Sequence, residues 1–396
     1  MNIPLQSQTI TSKNVTVFTG TRAEYGLLFW LLKDIQQDVD LTLQLLVSGM
    51  HCSSEFGETY RQIEQDGFTI DEKVEILLSS NSKVGTAKSV GLGIIGFADS
   101  LARLQPDVLV ILGDRFEAFA AAQTAMLMQI PILHIHGGEI TEGAYDDAIR
   151  HAITKLSYLH ATSNDAHRQR VIQLGESPDR VKNVGAIGLE HIKRTQLMNI
   201  NQLSDSLNFT LNCPFFVVTY HPVTLAEESP ETSFQALLDS LDSFPDYQVI
   251  LTYPNADDGG RLIIPLLEQY ARDNPLRVHA IQSLGQVRYL SAVKHAAAVI
   301  GNSSSGIIEV PIFDVPTVNI GSRQLGRIAA KSVLNCEPNV NSICSTIKYA
   351  LAHGYKLQGE IIQQPYGQGN TSQEIVEMIK SLNFNPVKVF HDHKPH

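Results

Sequence analysis

Short apolar runs alternate with helix-like patterns along most of the chain. The first run, VTVFT at residues 15–19, precedes an amphipathic helical pattern that begins at about Glu24. The same order recurs after further apolar runs at residues 41–49, 106–113 and 130–135. Strands of a parallel sheet are buried on both faces and are joined by crossover helices, so this repeat predicts an α/β fold with a parallel sheet.

The alternation starts again in the second half of the chain. Residues 189–212 are polar and rich in Asn, Ser and Gln, and a new series of apolar runs then begins with PFFVVTY. We therefore predict two Rossmann-like domains, residues 1–188 and 189–369, with residues 370–396 forming a helix and tail that pack back on the first domain. Two such domains facing each other across a cleft form the glycosyltransferase-B (GT-B) arrangement.

Composition narrows the classes of function. The 396 residues suit two domains of roughly 150 to 200 residues each. The formal net charge of −11 argues against a nucleic acid partner, although a local cluster of Arg and His can still bind phosphate. The N-terminus has no signal-peptide pattern and no window reaches the ~18 apolar residues of a membrane span, so we expect a cytoplasmic protein without a membrane partner. The four cysteines lack metal spacing and are expected to be reduced, buried thiols.

Polar clusters follow the apolar runs of the first half, at the edge where an open α/β sheet collects ligands. They comprise Asp114 with Arg115, the run from His136 to Glu139, Asp146 with Arg150, and His51 after an earlier run. Carboxylates, imidazoles and guanidinium groups gathered at one edge are suited to acid-base chemistry.

The motifs argue against a cofactor or a metal. The first turn reads GTR instead of GxGxxG, so a nicotinamide cofactor is not expected. Arg22 in this turn could meet an anion at the helix N-terminus or pair with a nearby carboxylate. The run HIHGGE lacks the HExxH spacing of a zinc site, so no metal is expected either.

The second half carries groups suited to a nucleoside diphosphate. Three serines, residues 303–305, lie between an apolar run and a helical pattern, where they could cradle phosphate or simply cap the helix. Glu309 near the start of that helix could accept two ribose hydroxyls, and Arg323 offers phosphate a fork of donors. His221 and Asn255 follow other apolar runs and are expected at the same edge.

Several motifs occur in an order that is typical of one family: GTRAEYG, SGMH, GDRFEAF, HIHGGE, DDAIRHAITKLS, YHPVT, YPNADDGG, GNSSSGIIEVP and GSRQ. With them the chain resembles the hydrolysing UDP-N-acetylglucosamine 2-epimerases of sialic acid biosynthesis. The resemblance extends to the related UDP-N,N'-diacetylbacillosamine 2-epimerases of legionaminic acid biosynthesis. It covers residues from about 15 to 370 and leaves out the tail beyond Phe384.

The resemblance implies a GT-B fold, no metal, no NAD, and conversion of UDP-GlcNAc to free N-acetylmannosamine (ManNAc) and UDP. The implied chemistry is an anti elimination of UDP to 2-acetamidoglucal, followed by hydration that inverts C2. The implied catalytic residues are Asp114, His136, Glu139, Asp146 and Arg150, with Asp114, Asp146 and the HIHGGE loop as the acid-base groups. The implied UDP-binding groups are Arg22, His51, Arg115, His221, Asn255, Ser303, Ser304, Glu309 and Arg323. A homodimer or homotetramer is expected.

Departures from the family pattern leave parts of the chemistry open. Many relatives read HIEGGE, with a catalytic Glu where this chain has His136, so either His136 or Glu139 would carry the proton. Some relatives have a Ser that contacts UDP where this chain has Gly26. No residue excludes UDP-2,4-diacetamido-2,4,6-trideoxy-glucose as the substrate. A non-hydrolysing 2-epimerase and a non-catalytic nucleotide-sugar binder are the remaining alternatives.

Overall fold

The fold consists of two compact units, each built on one parallel sheet. The computed structural model describes residues 12–54, 57–78, 83–140, 145–221, 229–254, 260–282, 284–357, 364–367 and 369–392. Unit 1 comprises Met1–Glu190 and Gly369–His396, and unit 2 comprises His191–Gln368. The predicted α/β class is therefore confirmed, and the predicted return of the last helix to the first unit is confirmed as well.

In unit 1, strands and helices alternate along the chain. They are β1 (Lys13–Thr19), α1 (Arg22–Gln37), β2 (Leu41–Ser48), α2 (Tyr60–Gln65), β3 (Glu72–Val74), α3 (Lys83–Leu104), β4 (Val108–Leu112), α4 (Phe116–Leu127), β5 (Ile132–Ile135), α5 (Tyr145–Leu156), β6 (Leu159–Thr162), α6 (Asp165–Gln173) and β7 (Val181–Asn183).

The same alternation continues through unit 2, and the last helix returns to unit 1. These elements are α7 (Glu190–Arg194), α8 (Ile200–Leu207), β8 (Phe215–Thr219), α9 (Pro230–Leu241), β9 (Gln248–Thr252), α10 (Gly260–Asp273), β10 (Val278–Ile281), α11 (Gly285–His295), β11 (Ala298–Gly301), α12 (Ser305–Ile308), β12 (Thr317–Ile320), β13 (Val333–Cys336), α13 (Val340–Leu357) and α14 (Thr371–Lys380).

Both sheets are doubly wound. The seven-stranded sheet of unit 1 has the order β3-β2-β1-β4-β5-β6-β7, and the six-stranded sheet of unit 2 has the order β10-β9-β8-β11-β12-β13. The strand order therefore reverses between β1 and β4 in unit 1 and between β8 and β11 in unit 2. In open α/β sheets the carboxyl ends of the strands at such a reversal form a crevice that binds ligands.

Alternating side chains of the buried strands feed two cores in unit 1. In β4, Val108, Val110 and Leu112 join the core formed with α1 and α14. Leu109 and Ile111 point to the opposite face and join α3 and α4. All five residues are buried, as expected for a central parallel strand with helices on both faces.

Local side chains determine where α1 begins. Thr21 is the N-cap, and its side chain accepts a hydrogen bond from the Glu24 backbone N–H while the Glu24 side chain bonds back to the cap. This capping box starts the helix at Arg22 and not at about Glu24, as the apolar pattern had indicated. The apolar pattern also did not indicate β3, β13, α8 or α13.

Candidate active site

The candidate site of unit 1 is organised by a buried arginine. Arg150 on α5 is only 5% exposed. One guanidinium nitrogen forms an ion pair with Asp114, which follows β4, and the other donates to Asp147 Oδ1 at 3.2 Å. The same nitrogen also donates to the backbone carbonyl of Glu139 at 2.9 Å. Arg150 thus joins the loop after β4, the loop after β5 and helix α5.

Asp146 adds a third carboxyl group to this site, after Asp114 and Asp147. Burial raises the pKa of Asp146, and the negative charge of Asp114 raises it further, while Arg115 and Arg150 act in the opposite direction. Two neighbouring carboxyl groups in different environments can hold different protonation states, as an acid-base pair requires.

The HIHGGE loop brings His136 and Glu139 together. His136 adopts a left-handed backbone conformation with φ of 65°, and its Nε2 accepts a hydrogen bond from the backbone N–H of Ile187 at 3.2 Å. Its Nδ1 lies 3.6 Å from Glu139 Oε1, which also accepts a hydrogen bond from the Ser163 hydroxyl at 3.0 Å. Gly138 is required in this turn, because a Cβ would overlap the carbonyl oxygen of His167.

His134 is a positioning residue that the sequence interpretation missed. Its ring is fully buried, with Nε2 2.8 Å from the carbonyl oxygen of Gly113 and Nδ1 3.2 Å from Thr154 Oγ1 on α5. Burial lowers the pKa of His134 to about 3, so the ring is neutral. A neutral ring that donates to Gly113 fixes the backbone next to Asp114 relative to α5. The available signal was the alternation of His134 and His136 at the end of the β5 run.

Arg115 and two buried glutamates form a second cluster at the ends of β1 and β4. The Arg115 guanidinium contacts the fully buried Glu117 carboxylate at 3.3 and 3.4 Å. The Glu24 carboxylate accepts hydrogen bonds from the backbone N–H groups of Gly20 at 2.8 Å and Thr21 at 3.2 Å. Burial is the largest cause that raises the pKa of Glu24 to about 7, and Glu117 adds to it. Arg22 is exposed at the start of α1.

The raised pKa of Glu24 predicts a pH-dependent stability. The folded state holds the Glu24 proton more tightly than the unfolded chain does. The stability that this protonated carboxyl group contributes is therefore fully present below pH 4.5 and is lost as the pH rises through about 7. We expect this group to lower the free energy of unfolding by about 3 kcal/mol over that range. Urea unfolding of wild type and of Glu24→Gln between pH 4.5 and 8 tests this, and equal pH profiles would contradict it.

His51 occupies a supporting position. It lies in the 3₁₀ turn Gly49–Cys52 and its side chain is 0% exposed. Nε2 lies 3.0 Å from Thr19 Oγ1 and Nδ1 lies 2.8 Å from Thr59 Oγ1, and burial lowers the pKa of the ring to about 4. Both ring nitrogens are bonded inside unit 1 and the ring is neutral. This arrangement favours a structural role for His51, in which it supports the ends of β1 and β2, over the predicted contact with UDP.

The candidate site of unit 2 is built around Asn302, which the sequence interpretation did not single out. The Asn302 amide forms a reciprocal pair with the backbone of His221, at 2.7 Å to the N–H and 2.8 Å to the carbonyl. The backbone carbonyl oxygen of Asn302 accepts hydrogen bonds from the side chains of Arg323 at 3.0 Å and Gln324 at 2.8 Å. The predicted residues His221 and Arg323 are thus joined to the serine loop, while the predicted Asn255 lies outside the described residues.

The serine loop differs from the predicted phosphate cradle in one respect. Helix α12 has only four residues, Ser305–Ile308, and Ser304 at its N-cap makes no side-chain capping bond. A single turn sums few peptide dipoles, so the helix dipole contributes little at this loop. The Ser303 hydroxyl accepts a hydrogen bond from the backbone N–H of Ser305 at 3.4 Å, as a capping residue does.

Glu309 lies at the end of α12 and not near the start of a longer helix, which corrects the prediction. Burial raises its pKa, and a hydrogen bond with Ser305 acts in the opposite direction. The Ser305 hydroxyl is also 2.7 Å from the hydroxyl of Tyr289 on α11. The glutamate is therefore held by a small polar network beside the loop.

A cavity of about 320 Å³ opens beside these residues, at the carboxyl ends of the central strands of unit 2. Its lining is mainly polar and aromatic, with Leu284 as an apolar member. The polar and aromatic lining includes Thr219, His221, Thr252, Gln282, Tyr289 and Ser303. A concave site of this size with a few fixed polar groups is suited to one ring system of a small ligand.

The cysteines were predicted to be buried, which is wrong for Cys213. All four are free thiols, but Cys213 is exposed, Cys52 and Cys344 are half-buried, and only Cys336 is buried. Within the described part of the chain, no group of three or more His, Cys, Asp and Glu residues is arranged to hold a metal ion. The described helices include none with the length and apolarity needed to cross a membrane.

Comparison with known proteins defines the class of protein. The sequence profile of the UDP-N-acetylglucosamine 2-epimerase family matches residues 33–380, and the chain belongs to this family. Membership in this family confirms what the ordered motifs had predicted.

Individual relatives point in the same direction. The chain is 41% identical over 330 residues to a GDP/UDP-N,N'-diacetylbacillosamine 2-epimerase (hydrolyzing) of Campylobacter jejuni, covering 83% of this chain and 86% of that protein. It is 36% identical over 371 residues to polysialic acid biosynthesis protein P7 of Escherichia coli, covering 93% and 94%. The crystal structure of UDP-GlcNAc 2-epimerase from Neisseria meningitidis bound to UDP-GlcNAc shares the fold, with a TM-score of 0.77, 19% identity, and coverage of 93% and 100%.

Proposed function

We propose that this protein is a hydrolysing 2-epimerase that converts UDP-GlcNAc to ManNAc and UDP for the biosynthesis of sialic acid type sugars. The observation that carries the proposal is the buried Arg150. It holds Asp114, at the strand-order reversal of unit 1, together with the HIHGGE loop that follows the neighbouring strand β5. The elimination needs carboxyl groups beside the sugar, and this cluster supplies them. We also propose that the protein acts in the cytoplasm and that it forms a homodimer or homotetramer.

In the first proposed step, a base removes the proton from C2 of the sugar. The C2–H electron pair forms the C1=C2 double bond, the C1–O bond breaks, and UDP leaves with the bonding electrons. In the second step, a water oxygen adds to C1 and the water gives one proton to a carboxylate. A carboxylic acid delivers a proton to C2 on the face opposite to the one that lost it. The product is ManNAc with C2 inverted.

Asp114 and Asp146 are the proposed carboxyl groups of this acid-base chemistry. Asp114 forms the ion pair with Arg150 and is assigned the role of base. Burial and the charge of Asp114 raise the pKa of Asp146, which favours the role of acid for this group over the role of base. Arg150 is proposed to position Asp114 through their ion pair and to offset the charge that develops as UDP leaves.

Unit 2 is proposed to hold UDP. Uracil fits the cavity of about 320 Å³ by size, and its edge can bond to the polar lining. The hydroxyls of Ser303 and Ser304 and the guanidinium of Arg323 are assigned to the diphosphate, and Glu309 to the ribose. Arg22 and Arg115 are likewise assigned to the diphosphate as positive charges. His221 and Asn255 complete the proposed UDP-binding set.

Of the two titratable side chains in the HIHGGE loop, Glu139 is proposed to be the one that takes part in proton transfer. His136 is proposed to be its hydrogen-bond partner. Because His136 Nε2 accepts from Ile187 N–H, the proton of a neutral ring is on Nδ1, which faces Glu139. We expect Glu139→Gln to lower kcat about a hundredfold and His136→Asn only about tenfold. Asn is the matched replacement because it tolerates the left-handed backbone at this position. A larger loss of kcat in His136→Asn would assign the proton to the imidazole.

The hydrolysing reaction is tested by nuclear magnetic resonance with UDP-GlcNAc in deuterated water. Free ManNAc with deuterium at C2, together with free UDP, is the expected result. Formation of UDP-ManNAc would identify a non-hydrolysing epimerase. Tight UDP binding with unchanged substrate would identify a nucleotide-sugar binder and overturn the proposal.

A second substrate is favoured by one specific observation. The Campylobacter jejuni relative, 41% identical, is named for N,N'-diacetylbacillosamine. The alternative is therefore the same reaction on UDP-2,4-diacetamido-2,4,6-trideoxy-glucose. Measuring kcat/KM for both UDP-sugars decides between the substrates, because the better substrate is the one with the higher value.

A further inference from the structure

The C-terminal tail, residues 381–392, runs from α14 back to the C-terminal end of α5. The family profile ends at residue 380, so the tail lies beyond the matched region. The Tyr158 hydroxyl donates to the carbonyl of Asn383 at 3.2 Å and accepts from the backbone N–H of Asn385 at 3.3 Å. The backbone N–H of His391 donates to the carbonyl of Gly175 at 3.0 Å. The tail is thus bonded to unit 1 at several points.

Lys388 in this tail caps α5. Its Nζ donates to the carbonyl of Lys155 at 2.8 Å and to the carbonyl of Ser157 at 2.6 Å. The last carbonyls of a helix have no partner inside the helix. An ammonium group at this position also interacts favourably with the negative end of the helix dipole.

A buried carboxylate locks the same ammonium group in place. Glu176 is 0% exposed, and its carboxylate contacts the Nζ of Lys388 at 2.7 Å, the Nζ of Lys155 at 2.6 Å and Nε2 of His160 at 3.1 Å. Lys155 belongs to α5 and His160 to β6, so this network joins the tail, the site helix and the sheet. Removing one partner from such a buried network is costly.

Helix α5 carries the candidate site at its other end. Asp146 and Arg150 lie in its first half, and Thr154, which contacts His134, lies next to Lys155. We propose that Lys388 is a positioning residue that fixes α5 along its axis and so keeps Arg150 and Asp146 in register with Asp114. This inference rests on the proposed function. A displacement of about 1 Å at a reacting group can cost about a hundredfold in rate.

The test compares Lys388→Met, which removes the charge and keeps the stem, with Lys388→Arg, which keeps the donors. Val387→Ala, at an exposed tail position, is the matched control. In Lys388→Met we expect kcat to fall about tenfold or more, with the Kd for UDP unchanged. Hydrogen exchange is expected to speed up in the amides of α5 and not in those of unit 2. Lys388→Arg should recover most of the rate, and Val387→Ala should match wild type.

An unchanged kcat in Lys388→Met would overturn the proposal. Faster exchange throughout unit 1, together with a parallel loss of UDP affinity, would also overturn it, because the lysine would then serve only general stability. Failure of the proposed function is recognised separately, as a wild-type protein that releases no UDP from either UDP-sugar. In that case the local exchange of α5 still decides whether Lys388 fixes the helix.

Discussion

An Asp114→Asn variant is expected to lower kcat by about three orders of magnitude while UDP binds with unchanged affinity. The amide has the size of the carboxylate but cannot accept the C2 proton or stabilise the positive charge that develops at C1. It also leaves one side of the buried Arg150 without its anionic partner. Steady-state release of UDP and calorimetric titration with UDP measure the two quantities.

The matched control is Asp165→Asn, because the Asp165 side chain is 71% exposed on α6 and pairs only at 3.9 Å with Arg168. This variant should keep the wild-type kcat. An Asp114→Asn protein that loses rate and UDP affinity together, with a lower melting temperature, would assign Asp114 to folding and remove it from the proposed chemistry.

A Gly301→Ala variant is expected to destabilise unit 2 by about 4 kcal/mol or more and to abolish UDP binding. Gly301 pairs with Thr219 across strands β11 and β8, and an added Cβ would overlap the carbonyl oxygen of Thr219. The backbone N–H of Asn302 donates to that same carbonyl at 3.1 Å. Separating the strands would therefore also disturb the pair between Asn302 and His221.

Gly321→Ala is the control variant. It tests backbone strain alone, without the steric overlap that an added Cβ causes at Gly301. Gly321 has a positive φ of 73°, but nothing lies within 4 Å of an added Cβ. We expect this variant to lose only about 1 to 2 kcal/mol, the ordinary cost of left-handed backbone in an L residue. Urea unfolding and UDP titration of both variants provide the comparison, and equal losses of stability would show that crowding at Gly301 has no role.

Local patterns predicted most of the strands and helices. They failed where tertiary contacts stabilise an element or where capping residues and proline determine the end of a helix. β13 and α13 were not indicated. The helix after the serines was predicted to continue past Glu309, but α12 ends at Ile308 and a 3₁₀ turn, Val310–Phe313, follows. Pro311 in that turn has no backbone N–H for an α-helical hydrogen bond. Likewise, α1 begins at Arg22 because of a cap that the apolar pattern does not contain.

The site residues show the same division. The spacing of the motifs placed Asp114 and His136 after strands, because a strand end follows directly from a local apolar run. It did not show that Arg150 bonds to Asp114, that Asn302 clamps His221, or that His134 bonds to Gly113. Each of these contacts joins segments that are distant in sequence. The roles assigned to the site residues stay predictions until the variants are measured.

The sequence by itself determined the α/β class, the two series of strands and helices, and the family, because burial periodicity and ordered motifs are local properties of the chain. Only the tertiary structure decided the strand order and the partners of the buried charges. Strand pairing and ion pairing depend on residues far apart in sequence, and a pattern along one segment carries no information about which distant segment lies beside it. Lys388 shows this most clearly, since its capping of α5 joins residues more than two hundred positions apart.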